Sequence, residues 1–155
     1  MAFKTNAMRT LEQKKLPHKT YDLGITEAAS GTEAAALMGK DPSTVFKTLV
    51  TVGASKEHYV FVIPVGKELD LKKAAKAAKE KNIEMIKSKD LLGLTGYVHG
   101  GCSPIGMKKA FATFIDESGK SLENITFSAG KIGYQIEMAP SDLAKVVRFK
   151  YADLT

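Results

Sequence analysis

Apolar and polar positions along this chain recur at two spacings, one helical and one strand-like. Over residues 5–15 the spacing is helical: Met8 and Leu11 share a face, and Thr5 stands where its hydroxyl can cap the first free N–H groups. Pro17 has no N–H to continue that helix, so residues 18–22 read as extended. A second short helix is predicted over residues 32–38, with Gly39 turning the chain out of it. Residues 45–52 and 58–65 are rich in β-branched and aromatic side chains, and residues 53–56 form the turn between them. In the first strand a period of two puts Lys47 on the same face as Val45 and Leu49, an unusual place for a lysine.

Asp70 then caps a helical segment over residues 71–81 whose apolar stripe is Leu71, Ala74, Ala75 and Ala78. Residues 83–86 read as a short strand, and Ser88 as the cap of a brief helix running to Leu92. Further strands are predicted over 110–115, 124–127 and 131–138, with Glu117, Ser118 and Gly119 as a turn. A last short helix begins at Ser141 and runs to Val146. Strands outnumber helices without strict βαβ alternation, so the pattern predicts an α+β fold on a mixed sheet. No repeat, low-complexity tract or linker interrupts it, and residues 1–155 read as one domain.

Composition narrows the class. At 44% hydrophobic and 26% charged residues the chain is ordinary globular material, not a disordered one. The first six residues hold no apolar run that could serve as a signal peptide, and no later stretch approaches the roughly 20 apolar residues of a membrane span. The single cysteine, Cys102, cannot form an internal disulfide, which fits a reducing compartment; a soluble cytoplasmic protein is expected. Net charge is +6, and 21 of the 23 basic residues are lysine. Eight lysines against four acidic residues fall between positions 67 and 89. Such a block is either a solvated helix face or a surface that attracts a phosphate backbone through counterion release. Lysine suits sequence-independent attraction better than base reading, where arginine forks dominate.

Candidate chemistry concentrates in residues 96–106, Gly96-Tyr97-Val98-His99-Gly100-Gly101-Cys102-Ser103-Pro104-Ile105-Gly106. Glycines there allow main-chain N–H groups to approach a carbonyl oxygen or a phosphate without a Cβ in the way. The plain alternative is an ordinary glycine-rich loop, and it is neither a Walker motif, a dinucleotide fingerprint nor a nucleophile elbow. His99 and Cys102 are three apart, but only His18 and His58 remain as further histidines, too few for a convincing metal site. Cys102 has no evident third group to orient His99 as its base, and Ser103 has no evident base at all.

The order of Thr20-Tyr21-Asp22, Phe46-Lys47-Thr48-Leu49, Leu71-Lys72-Lys73-Ala74-Ala75, the glycine-rich loop, Gly130-Lys131 and Pro140-Ser141-Asp142-Leu143 resembles the YbaK family of Cys-tRNA deacylases. That family is kin to the editing domain inserted in bacterial prolyl-tRNA synthetases, and the resemblance covers nearly the whole chain. It implies a barrel-like mixed-sheet α+β fold and removal of a wrongly attached amino acid from tRNA in trans, without metal or cofactor. The substrate's own thiol would attack its ester carbonyl, so that positioning supplies much of the acceleration.

By matching position, the resemblance implies catalytic roles for Lys47, Gly101 and Ser103. Lys47 would contact the terminal adenosine phosphate or the substrate, Gly101 would offer a backbone donor, and Ser103 a side-chain hydrogen bond. Tyr21, Ser30, Thr48, Gly100, Pro104 and Asp142 would line the substrate site, Asp142 binding the amine, bracing the loop or capping a helix. Lys72, Lys73, Lys76 and Lys79 are the candidate RNA contacts, and the partners implied are mischarged tRNA and prolyl-tRNA synthetase. Two positions depart from the family: Ser30 stands where an aromatic is common, and Ile132 where a second basic residue is common. Two other readings stay open, a deacylase of the same fold acting on alanine through an activated water, and a non-enzymatic RNA-binding module.

Overall fold

A computed structural model describes residues 4–155. Residues 1–3, part of the stretch read for a signal peptide, lie outside the described residues. Helix α1 (Asn6–Gln13) is capped by the Thr5 side chain, which accepts from the Met8 N–H, and it buries Ala7, Met8 and Leu11. Strand β1 (Lys19–Asp22) follows, then helix α2 (Gly31–Met38), which Gly39 ends in a left-handed conformation at φ 66°. The hairpin of β2 (Phe46–Gly53) and β3 (His58–Pro64) pairs antiparallel from Phe46 opposite Pro64 to Val52 opposite His58.

Helix α3 (Leu71–Ala78) is capped by Asp70, whose carboxylate accepts from the N–H groups of Lys72 and Lys73. It stops three residues short of the predicted end because Lys79 turns left-handed, and Leu71 points to solvent while Ala74 and Ala75 are buried. Strand β4 (Ile83–Met85) leads to helix α4 (Ser88–Thr95). Ser88 is the first residue of that helix and makes no cap; Lys87 precedes it without a side-chain cap bond. The last elements are β5 (Ala112–Asp116), β6 (Ile125–Ser128), β7 (Tyr134–Met138), α5 (Pro140–Leu143) and β8 (Phe149–Ala152). Helix α5 starts at Pro140, so Ser141 lies inside its first turn. Residues 117–121 are a 3₁₀ turn.

The strands form two sheets. One is antiparallel, in the order β1-β7-β6, and the other is mixed, in the order β4-β2-β3-β5-β8, with β3/β5 and β5/β8 parallel. The expected α+β architecture is therefore present. The barrel-like closure is not: the sheets are open and meet at one isolated bridge between Val45 and Thr126. Between them lies the main core, where Phe46, Val50, Val60 and Val62 from one sheet meet Ile125, Phe127, Ile136 and Met138 from the other. The opposite face of the mixed sheet packs Phe61 and Ile63 against Ala74 and Ala75 of α3. Strand β3 is thus covered on both faces, which is why it reads as an unbroken apolar run. Each fully buried phenylalanine or isoleucine contributes about 1.5–3 kcal/mol through lost apolar exposure. Among the described residues no helix is long and apolar enough to cross a membrane.

Candidate functional site

Lys47 owes its position to the two helices that cover one face of the mixed sheet. On that face Val45 lies opposite Val65 under α2, and Leu49 opposite Phe61 joins the cluster under α3. Lys47, opposite Ile63, falls between the two covered regions. Its side chain is 29% exposed, and Nζ lies 3.9 Å from a carboxylate oxygen of the solvent-exposed Glu68. So long and exposed a pair holds the ammonium only loosely.

The edge of β2 is also open here. Antiparallel pairing makes main-chain groups alternate in direction, and the Val65 N–H donates to the Val45 carbonyl at 2.9 Å. Residues 45, 47, 49 and 51 therefore turn their main-chain groups toward β3, while those of Phe46, Thr48 and Val50 turn away. Strand β4 pairs only with residues 51–53, and the Ile86 N–H reaches the Val50 carbonyl at 3.4 Å. That leaves the main chain of Thr48 facing a cavity of about 210 Å³. The Thr48 hydroxyl is buried with no hydrogen-bond partner among the described residues, an arrangement that costs about 1–3 kcal/mol.

Most of the remaining lining comes from four other segments. The start of α2 contributes Gly31 and Ala34, α4 contributes Leu91, the glycine-rich loop contributes His99, Gly100 and Cys102, and the antiparallel sheet contributes Ser128 and Gln135. Lys47, Thr48 and Gly100 are the predicted site residues that border it. A wider and more open groove of about 700 Å³ between β4 and α4 touches none of the predicted site residues.

The glycine-rich loop is shaped by packing. Tyr97 is 5% exposed and its hydroxyl donates to the Ile105 carbonyl at 2.6 Å. A Cβ on Gly106 would lie 2.9 Å from that hydroxyl, and one on Gly130 would lie 2.7 Å from the ring. Both glycines also hold positive φ, at 75° and 101°. Gly96-Tyr97, Gly106 and Gly130, far apart in sequence, are thus one packing unit.

Several expected contacts are taken up elsewhere. The Gly101 N–H, expected to serve a ligand, donates to the Val98 carbonyl at 3.0 Å, and a Cβ at this position would lie 3.0 Å from the Ile132 nitrogen and 3.2 Å from the Lys131 carbonyl carbon. Ser103 is fully buried and accepts from the Ile105 N–H at 3.3 Å, and Pro104 beside it is buried too. Ser30 caps α2 by accepting from the Glu33 N–H at 3.2 Å. Tyr21 donates its hydroxyl to Glu137. Asp142 neither caps α5, which begins after Ala139, nor borders the cavity; it pairs with Lys145 at 3.1 Å beside a separate groove. On α3, Lys72, Lys76 and Lys79 are exposed, whereas Lys73 is drawn to Asp153 at 3.1 Å.

Cys102 lines the cavity at 8% exposure. Burial pushes its thiol up to about 12, and a hydrogen bond with Thr95 offsets only part of that. It is no thiolate nucleophile at neutral pH. Among the described residues no three His, Cys, Asp or Glu side chains gather as metal ligands. Ser128 and Gln135, which face each other across β6 and β7, escaped the sequence reading. Polar residues alternating along a strand normally signal a solvent face, and here that face is roofed by α2 and the loop.

Fold and cavity together define an α+β protein with a cavity of mixed polar and apolar lining at an open strand edge. The chain belongs to the aminoacyl-tRNA editing domain family, whose model matches residues 26–146. It is 47% identical over 153 residues to the Enterococcus faecalis protein named "Putative Cys-tRNA(Pro)/Cys-tRNA(Cys) deacylase EbsC", covering 98% of this chain and 93% of that one. It is 27% identical over 125 residues to a proline–tRNA ligase of Shouchella clausii, covering 80% of this chain but 22% of the ligase. A crystal structure described as "a putative trans-editing enzyme for prolyl tRNA synthetase" has the same fold, with a TM-score of 0.82 at 22% identity over 99% of both chains.

Proposed function

We propose that this protein is a trans-editing deacylase that removes cysteine from Cys-tRNA(Pro), and from Cys-tRNA(Cys), in the cytoplasm. The relative at 47% identity carries that activity in its name, and family membership makes a mischarged tRNA the substrate. The likeness to part of a proline–tRNA ligase supports prolyl-tRNA synthetase as the source of the mischarged tRNA. Residues 1–155 act as one editing unit in this reading.

The observation that carries the reading is the open edge of β2, where the Thr48 main chain and the loosely held Lys47 ammonium stand at one cavity. The Thr48 main chain exchanges a hydrogen bond with the aminoacyl end. Lys47 offsets negative charge, either on the developing oxyanion or on the terminal phosphate. Gly101 and Ser103 act from behind, by fixing the loop that presents Gly100. The only protein thiol is held protonated, and in this reading the nucleophile is the substrate's own sulfur. That sulfur bonds to the ester carbonyl carbon, the bond from this carbon to the ribose oxygen breaks, and the ribose oxygen takes the thiol proton. The products are a cyclic thiolactone and free tRNA. Held in near-attack geometry, such an intramolecular step gains several orders of magnitude.

The test is a deacylation assay on Cys-, Ala- and Ser-charged tRNA(Pro), with rapid trapping of the released amino acid. Fast release from Cys-tRNA, with thiolactone ahead of free cysteine, is expected. Brisk release of alanine or serine, with cysteine appearing only as the free acid, would establish an activated water instead. Binding of all three without release would leave an RNA-binding module.

A further inference from the structure

Two walls of the cavity face each other across elements that share little packing. Helix α2 supplies Gly31 and Ala34, and the antiparallel sheet supplies Ser128 and Gln135. Beneath α2 there is only a small apolar cluster of Ala35, Val45 and Val65, flanked by Met38. At the far end of the helix Gly39 turns left-handed and the Lys40 N–H donates to the Ala35 carbonyl at 2.9 Å. The Lys40 side chain then reaches the sheet. Nζ lies 3.0 Å from Glu137 Oε1 and 5.0 Å from the centroid of the Tyr21 ring, while the Tyr21 hydroxyl donates to the same Glu137 oxygen.

The strand register puts this network beside the cavity wall. Tyr21 pairs with Gln135 across β1 and β7, and Glu137 is two residues further along β7 on the same face. The Lys40 and Glu137 side chains are only 18% and 17% exposed. Burial works against the Lys40 charge, but its hydrogen bonds to Glu137 and Tyr21 outweigh that and raise its pKa. The Tyr21 hydroxyl, and after it Lys40, hold Glu137 below the usual carboxylate range. Both groups are charged at neutral pH, and a partly buried pair of this kind resists being pulled apart because separation strands each charge.

We propose that Lys40, Glu137 and Tyr21 form a clamp that fixes α2 against β7 and so sets the width of the cavity, making Lys40 and Glu137 positioning residues for the aminoacyl ester. The effect on catalysis rests on the deacylase reading; the effect on the cavity does not. Cys102 makes the difference measurable, because it is the single cysteine of the chain and lines the same cavity. Its alkylation by iodoacetamide at pH 8.5 reports opening of the cavity, and hydrogen exchange of the α2 amides reports the helix itself.

The variants are Lys40→Met, Glu137→Gln, Lys40→Arg and the charge-swapped pair Lys40→Glu with Glu137→Lys, all checked for folding. In Lys40→Met and Glu137→Gln, Cys102 alkylation should rise at least about threefold, and KM for Cys-tRNA by about as much, with kcat changed less than about twofold. Lys40→Arg, which keeps the charge, should stay near wild type even if the swapped pair fails to fold, and a folded swapped pair should move back toward wild type. Unchanged alkylation and unchanged α2 exchange in folded Lys40→Met would overturn the clamp. Faster alkylation in Lys40→Met, in a protein whose wild type leaves Cys-tRNA intact, would uphold the clamp and sink the deacylase reading alone.

Discussion

The glycine-rich loop and helix α3 are the two segments that stand out in the sequence, and the structure treats them in opposite ways. In the loop almost every unusual residue answers to a neighbour. Tyr97 is wedged against Gly106 and Gly130, Gly101 lies on the backbone of Lys131 and Ile132, and Ser103 ties down Ile105. On α3 two buried alanines and the Asp70 cap hold the helix, and Lys72, Lys76 and Lys79 are left in solvent. The loop's composition is dictated by shape, whereas the helix's charge is not dictated by folding. A glycine motif of this sort fixes a wall, and Lys47 and Thr48, which we propose meet the substrate, stand on the strand that borders the same cavity.

Three measurements would break or sharpen that contrast. The largest effect belongs to Gly130→Ala, whose Cβ would enter the Tyr97 ring at 2.7 Å from a backbone at φ 101°. It should lower unfolding free energy by about 2–4 kcal/mol in chemical denaturation, through overpacking and left-handed strain together. A loss under about 0.5 kcal/mol would show that the loop is not shape-limited. Next is Lys47→Ala, which should leave stability nearly intact but slow Cys-tRNA deacylation at least about tenfold, or ~1.4 kcal/mol. Wild-type rates in the folded variant would remove Lys47 from the site. The smallest effect at ordinary salt is that of glutamine at Lys72, Lys76 and Lys79. The slope of log binding constant against log salt should shrink by up to about three, one per lost phosphate contact, with the melting temperature unmoved. An unchanged slope would mark α3 as merely solvated.

Local signals carried much of the fold. Thr5, Gly39 and Asp70 cap or end their helices where side-chain chemistry places them, and the β2–β3 hairpin follows from two apolar runs and a short turn. What escaped was decided by tertiary context. Strand β8, Phe149-Lys150-Tyr151-Ala152, is too short to announce itself and exists because β5 offers a parallel edge. Lys79 ends α3 in a left-handed turn that lysine adopts only under constraint from its surroundings. Lys47 was legible as an anomaly on its strand, but Gln135 and Ser128 were not, since nothing local shows that their face of the sheet is roofed. Asp142 shows the converse: a polar motif near the end of the chain belongs to α5 and its Lys145, away from the cavity.

The burial of Cys102 bears on how an enzyme can handle a thiol-bearing ester safely. A thiolate beside such a substrate would exchange into the ester and hold the amino acid as an enzyme-bound thioester, or join the substrate's sulfur in a mixed disulfide whenever an oxidant is present. With its thiol pushed up to about 12, Cys102 presents a thiolate fraction of roughly one in 10⁵ at pH 7. The cavity therefore contains sulfur without offering a competing thiolate, and an enzyme acting there would emerge from each turnover unmodified.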